Sequence, residues 1–220
     1  MSARTDILGS IRRSLGRGAL DPATEAGLRQ RLSAHRRQIG LARTEKPHDD
    51  LVTLFEEMAT ALAATVVHIP DAAQVPEAVA TYLSDQNLPA ELVAAPGLES
   101  LPWAERPTLT VRFGKAENPD LVSVTPVVGA VAETGTLVLT SGPATPTSLN
   151  FLPDTHIAVV KRSQITGRYE DVWDTIRATG PVPRTVNMIS GPSRTGDIEQ
   201  TIQLGAHGPR RLHILILDEA

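Results

Sequence analysis

Two uninterrupted apolar runs, Ile157-Ala-Val-Val160 and Ile214-Leu-Ile-Leu217, constrain the fold more than any other feature of this chain. A strand with one wet face alternates apolar and polar residues, because successive side chains point to opposite sides. A strand without alternation must be covered on both faces, which is the condition of a parallel sheet enclosed by helices. The segments between the runs supply those helices. Leu51, Leu54, Phe55, Met58 and Leu62 recur at helical spacing within residues 50–65. Val79, Tyr82 and Leu83 do so within 76–85, and Val172, Trp173 and Ile176 within 169–179. Strands are predicted at 66–69, 92–95, 109–113, 121–124, 136–140, 155–161, 186–190 and 212–218. The expected fold class is therefore three-layer α/β/α with a mostly parallel sheet.

The first 46 residues read differently. They hold ten Lys and Arg against four Asp and Glu, net +6, while the remaining 174 residues hold 11 against 21, net −10. A short amphipathic helix is expected over 5–15, with Ile7, Leu8, Ile11 and Leu15 on one face. A second, mostly polar helix is expected from Asp21 to about Gln38, with Asp21 as N-cap and Pro22 at its first position. Its apolar anchors are Leu28 and Leu32. The division expected is a basic helical arm, 1–46, and an α/β domain, 47–220. The arm lacks the interleaved aromatics of a nucleic-acid surface, and the acidic body repels phosphate, so no nucleic-acid partner is expected. An acidic partner or a neighbouring subunit suits it better.

Other classes fall away on composition. No apolar run approaches the ~20 residues of a membrane span, and no signal-type apolar stretch follows Met1, so the chain is expected in the cytoplasm. The sequence contains no cysteine, hence no thiolate ligands. No His-x-x-x-His pair or acidic cluster has metal-ligand spacing, and no metal site is expected. Gly-x-Ser-x-Gly is absent, which removes the serine-hydrolase elbow.

Chemistry concentrates in two glycine turns. In Ile189-Ser-Gly-Pro-Ser-Arg-Thr-Gly196 an apolar strand runs into a polar loop, and a helix is predicted over 197–204. Backbone N–H groups at such a junction can face a ligand. The spacing Gly191-x-x-x-x-Gly196 begins like a phosphate loop, but Asp197 and Ile198 stand where that loop needs Lys and Ser or Thr. Ser193, Arg194 and Thr195 are candidate ligand-binding residues at a strand's C-terminal end, where open α/β sheets hold ligands. Ser193 or Thr195 serving only as an N-cap is the alternative. Asp197 and Glu199 are candidate carboxylates that oppose a bare phosphate at the helix start. The second turn is Glu133-Thr-Gly-Thr136. Two roles are open to Glu133: nucleophile or general base, or a carboxylate that pins the turn. Thr134, Gly135 and Thr136 are candidate ligand contacts beside it. His207, in Gly205-Ala-His-Gly-Pro209, is either an acid/base group or a turn stabiliser, whereas His156 and His213 are expected to be satisfied locally. The two turns are expected to share one cleft, with the Glu133 carboxylate within ~15 Å of the Ser193 hydroxyl.

Glu133-Thr-Gly-Thr-Leu-Val-Leu139, Leu152-Pro-x-Thr-His-Ile157, Ser190-Gly-Pro-Ser-Arg-Thr-x-Asp-Ile-Glu-Gln200 and Gly205-x-His-Gly-Pro209 followed by Leu212-His213 closely resemble the LUD-domain family. The resemblance runs from about residue 50 to 218. One departure is Gly142-Pro-Ala-Thr-Pro-Thr-Ser-Leu149, where relatives usually carry Gly-Asn-x-Arg. The resemblance implies a fold like that of the ribose-5-phosphate isomerase, glucosamine-phosphate deaminase and CoA-transferase superfamily. It also implies a non-redox subunit that helps oxidise L-lactate to pyruvate. That subunit would bind a small organic acid or shape the assembly, hold no cofactor itself and sit beside partner subunits carrying iron–sulfur clusters. Assembly as a homo-oligomer is left open. The superfamily analogy carries the alternative, a stand-alone CoA-transferase-like or sugar-phosphate-processing enzyme. Its catalytic carboxylates would be drawn from Glu133, Asp197 and Glu199.

Overall fold

The computed structural model describes residues 2–195 and 203–219. Contacts divide the chain at Ile39/Gly40 into two compact units. The first contains helices α1 (Ala3–Ser14) and α2 (Pro22–Ala34). The Asp21 carboxylate caps α2 by accepting from the Thr24 N–H at 2.9 Å. Neither helix buries a residue, and α2 ends four residues before the predicted Gln38.

The second unit begins at Gly40 rather than after Lys46. Thr44 is buried, and Arg168 donates to the Thr44 hydroxyl at 3.2 Å and the Glu45 carboxylate at 2.6 Å. Segment 40–46 thus packs with the body, through polar contacts that no apolar periodicity announces.

Six parallel strands form the main sheet. They are β1 (Thr65–Ile69), β2 (Glu91–Ala94), β3 (Thr110–Phe113), β4 (Val122–Pro126), β7 (Thr155–Lys161) and β12 (Arg211–Leu217), in the spatial order β1-β12-β7-β4-β2-β3. The two apolar runs lie at the centre in register, Ile214 beside Ala158 and Ile216 beside Val160. One face packs on α4 (Val75–Asp85) through Val75, Val79, Tyr82 and Leu83. The other meets α3 (His48–Ala61) through Val52, Phe55 and Ala59. Full burial of Phe55 contributes about 2–3 kcal/mol of transfer free energy. The predicted three-layer α/β/α class and mostly parallel sheet hold.

A second sheet, of four strands, was not expected from the sequence. It joins β5 (Gly129–Val131), β6 (Thr136–Thr140), β8 (Ile165–Thr166) and β9 (Val186–Ile189), with β6 antiparallel to β5 and β9. Its inner residues Ala130, Leu137 and Ile165 join the α3 core. Helix α5 (Tyr169–Ala178) covers its other face through Val172 and Ile176. Two of its strands span only two or three residues, too short for a period to register. The predicted helix over 197–204 lies mostly outside the described residues. At its end, Gln203–Leu204 is strand β11, antiparallel to β10 (Arg194–Thr195), so the chain there is extended rather than helical.

Candidate functional site

The last turn of α3 is the scaffold against which both glycine turns fold. Gly135 has φ 61°, and a Cβ there would lie 2.6 Å from the Met58 carbonyl carbon. Gly191 has φ 75°, and its Cβ would lie 2.5 Å from the Leu62 carbonyl oxygen. Only glycine meets both demands, the left-handed backbone and the close approach. Arg194 donates to the same Leu62 carbonyl at 2.6 Å, placing a guanidinium at the negative end of the helix.

Beyond Gly191 the chain borders a cavity of about 280 Å³. Its wall includes Ser190, Gly191, Pro192, Ser193 and Arg194 on one side and His207, Gly208 and Pro209 on another. Backbone bonds fasten the two sides: Ser193 N–H donates to the Pro209 carbonyl at 2.8 Å, and Gly205 N–H to the Ser193 carbonyl at 3.0 Å. Asn150, His156 and Leu212 also line the cavity, with Asn150 and His156 buried. The size suits a small metabolite. The cavity lies at the amino ends of β7 and β12, not at the carboxyl end of the parallel sheet. β9 explains the difference, because the strand that delivers the loop belongs to the smaller sheet.

His156 was expected to be satisfied locally, and half of it is. Its Nε2 lies 2.7 Å from the Thr125 hydroxyl, whereas its Nδ1 has no partner among the described residues. Burial lowers its pKa to about 4, so the ring is neutral at pH 7. A buried, unpartnered polar atom is rare enough to require an account, and a polar guest in the adjoining cavity would provide one. His213 differs: its Nδ1 lies 2.7 Å from the Thr65 hydroxyl, and its ring stacks on Tyr82 with centroids 3.9 Å apart.

The turn at 133–136 does not line this cavity. The Glu133 carboxylate lies 3.4 Å from the Arg43 guanidinium, and its N–H donates to the Gly167 carbonyl at 3.2 Å. These contacts are the pinning arrangement. The expected shared cleft is not found: the turn at 133–136 lies outside the cavity and meets the loop through hydroxyls instead. Thr136 is fully buried, and its hydroxyl lies 2.6 Å from that of Ser190 on the cavity wall. Thr136 also contacts the Thr134 hydroxyl at 2.7 Å and the Tyr169 hydroxyl at 2.9 Å. Of the candidate residues, Ser193, Arg194 and His207 line the cavity, and Thr136 stands behind it. Thr195 lies in β10, and Asp197 and Glu199 fall outside the described residues. Sequence reasoning passed over Asn150, His156 as a cavity residue, and Tyr169. The Leu152-Pro-x-Thr-His-Ile157 motif was the available signal for His156.

Among the described residues no group of three or more His, Cys, Asp or Glu is placed to hold a metal ion, and no helix is long and apolar enough to cross a membrane.

Comparison with known proteins adds the family context. A family profile described as LUD domain matches residues 121–217. The chain is 30% identical over 177 residues to lactate utilization protein C of Deinococcus radiodurans, covering 76% of this chain and 80% of the relative. It is 27% identical over 201 residues to lactate utilization protein C of Geobacillus thermodenitrificans, covering 86% and 78%. A crystal structure of a DUF162 family protein from Deinococcus radiodurans superposes with a TM-score of 0.59 at 26% identity, covering 79% of this chain and 99% of that one.

Proposed function

This chain belongs to the LUD domain family, and on that premise we propose that it is a non-redox component of a cytoplasmic system for lactate utilization. It holds a small hydroxy or keto acid in the cavity beside Ser190 and Arg194, and it assembles with partner subunits that carry iron–sulfur clusters. The observation that carries this reading is the match to lactate utilization proteins C over most of both lengths. The site supports it in three ways. The cavity has metabolite size, Arg194 supplies a fixed cation for a carboxylate, and Asn150 and neutral His156 supply uncharged polar groups. With no cysteine in the sequence, cluster ligation by thiolate falls to the partners.

Deleting the gene in a host without another lactate dehydrogenase should abolish growth on L-lactate, and the intact gene should restore it. Tagged full chain recovered from lactate-grown cells should bring down proteins containing iron and acid-labile sulfide. Unimpaired growth of the deletion strain overturns the reading.

A further inference from the structure

Three hydroxyls behind the cavity and that of Ser190 on its wall make four contacts. Thr134 lies 2.7 Å from Thr136 and 2.8 Å from Tyr169, and Thr136 lies 2.9 Å from Tyr169 and 2.6 Å from Ser190. Oxygens this close need a proton between them, because two facing lone pairs repel. Each hydroxyl owns one proton, so four contacts consume all four. The ring of Thr134, Thr136 and Tyr169 uses the protons of its own members, whichever way it runs. Ser190 must then fill the remaining contact by donating to Thr136. Were Thr136 to donate to Ser190, the ring would have two protons for three contacts. Ser190 therefore donates inward, and the cavity it lines meets only its lone pairs.

We infer that Ser190 is a hydrogen-bond acceptor that makes this cavity select a 2-hydroxy acid over the corresponding 2-keto acid. The inference rests on the reading of the cavity as an organic-acid site and adds which oxidation state it holds. A ligand hydroxyl donates to Ser190, while a keto oxygen would face it lone pair to lone pair. The carboxylate common to both acids is left to Arg194 and does not discriminate. A site that hydrogen-bonds a ligand hydroxyl disfavours the analogue that lacks that hydroxyl.

Calorimetric titration of the full chain with L-lactate and with pyruvate provides the test. The wild type should bind L-lactate about tenfold or more tightly than pyruvate, the worth of one hydrogen bond and one avoided repulsion. Tyr169→Phe leaves three protons for two contacts, and Thr136→Val leaves Ser190 its own proton. Either change lets Ser190 donate to a keto oxygen, so the preference should fall towards unity, chiefly through tighter pyruvate binding. Ser190→Ala should weaken L-lactate and spare pyruvate. Equal binding of the two acids by wild type, or a preference unmoved by both Tyr169→Phe and Thr136→Val, overturns the inference while the acid-site reading stands. Binding of neither acid overturns both.

Discussion

Gly135 and Gly191 occupy the same backbone region and press on the same end of α3, yet the turns around them serve different ends. At Gly135 the neighbouring polar groups are turned on one another: Glu133 towards Arg43, Thr134 and Thr136 towards Tyr169. At Gly191 they are turned on a cavity: Ser190, Ser193 and Arg194, with His207 opposite. Both turns offer glycine, hydroxyls and a charge, so residue types alone do not separate a site from a fastening. The partners available to each turn do. Segment 40–46 and α5 are at hand to saturate the first, whereas the second borders the buried His156, whose Nδ1 has no partner among the described residues.

The largest test of that contrast is its acid response. His156 beside the cavity and His213 in the sheet are both lowered by burial to about 4, against an ordinary value of 6.5. Between pH 6.5 and 4 the unfolded chain takes up protons that the native chain refuses. The stability contributed by these two neutral imidazoles is therefore complete above pH 6.5 and declines as pH falls towards 4, by about 1.4 kcal/mol per pH unit for each. His68, raised by its contacts with Asp218 and Glu56, contributes with the opposite sign. Urea midpoints between pH 7 and 4.5 should show this slope, and His156→Leu should roughly halve it whatever its effect at pH 7. An unchanged slope would mean that the imidazole beside the cavity is not held neutral.

Next in size is the glycine pair. Gly135→Ala sets a Cβ against the Met58 and Ala59 backbone within the last turn of α3 and should cost about 3–5 kcal/mol, combining left-handed strain with overpacking. Gly191→Ala meets the helix terminus, which can give way, and should cost about 2–3 kcal/mol while also weakening L-lactate binding. Thermal unfolding and titration of both variants separate the two. Equal costs with L-lactate binding intact in both would dissolve the contrast.

Truncation sharpens the fastening side. Removing 1–39 takes away helices that bury nothing and should move the thermal midpoint by no more than about 2 °C. Removing 1–46 also strips Arg43, Thr44 and Glu45 from the Glu133 turn and Arg168. It should cost a further ~1–2 kcal/mol with L-lactate affinity unchanged. The smallest effect belongs to Glu133→Gln, expected to change stability by less than about 0.5 kcal/mol, since its ion pair is long and its partner exposed. Loss of acid binding or of any turnover in this variant would restore Glu133 as a working carboxylate and break the comparison from the other side.

The sequence by itself determined the elements whose pattern is long and one-sided: β7 and β12 as buried parallel strands, α3, α4 and α5 by their stripes, and α2 by its Asp-Pro start. It also marked the loop at 190–195 and the turn at His207 as special. Only the tertiary structure decided that Gly129–Val131 and Ile165–Thr166 pair in a second sheet, that residues 40–46 belong to the body, and that Tyr169 reaches Thr136. The reason is physical. Periodicity records which face of an element is buried, a local property that repeats along the chain. Two-residue pairings, hydroxyl contacts across 33 or 54 positions and the proton count they impose leave no repeating trace. They exist only once α3 has brought the two glycine turns together.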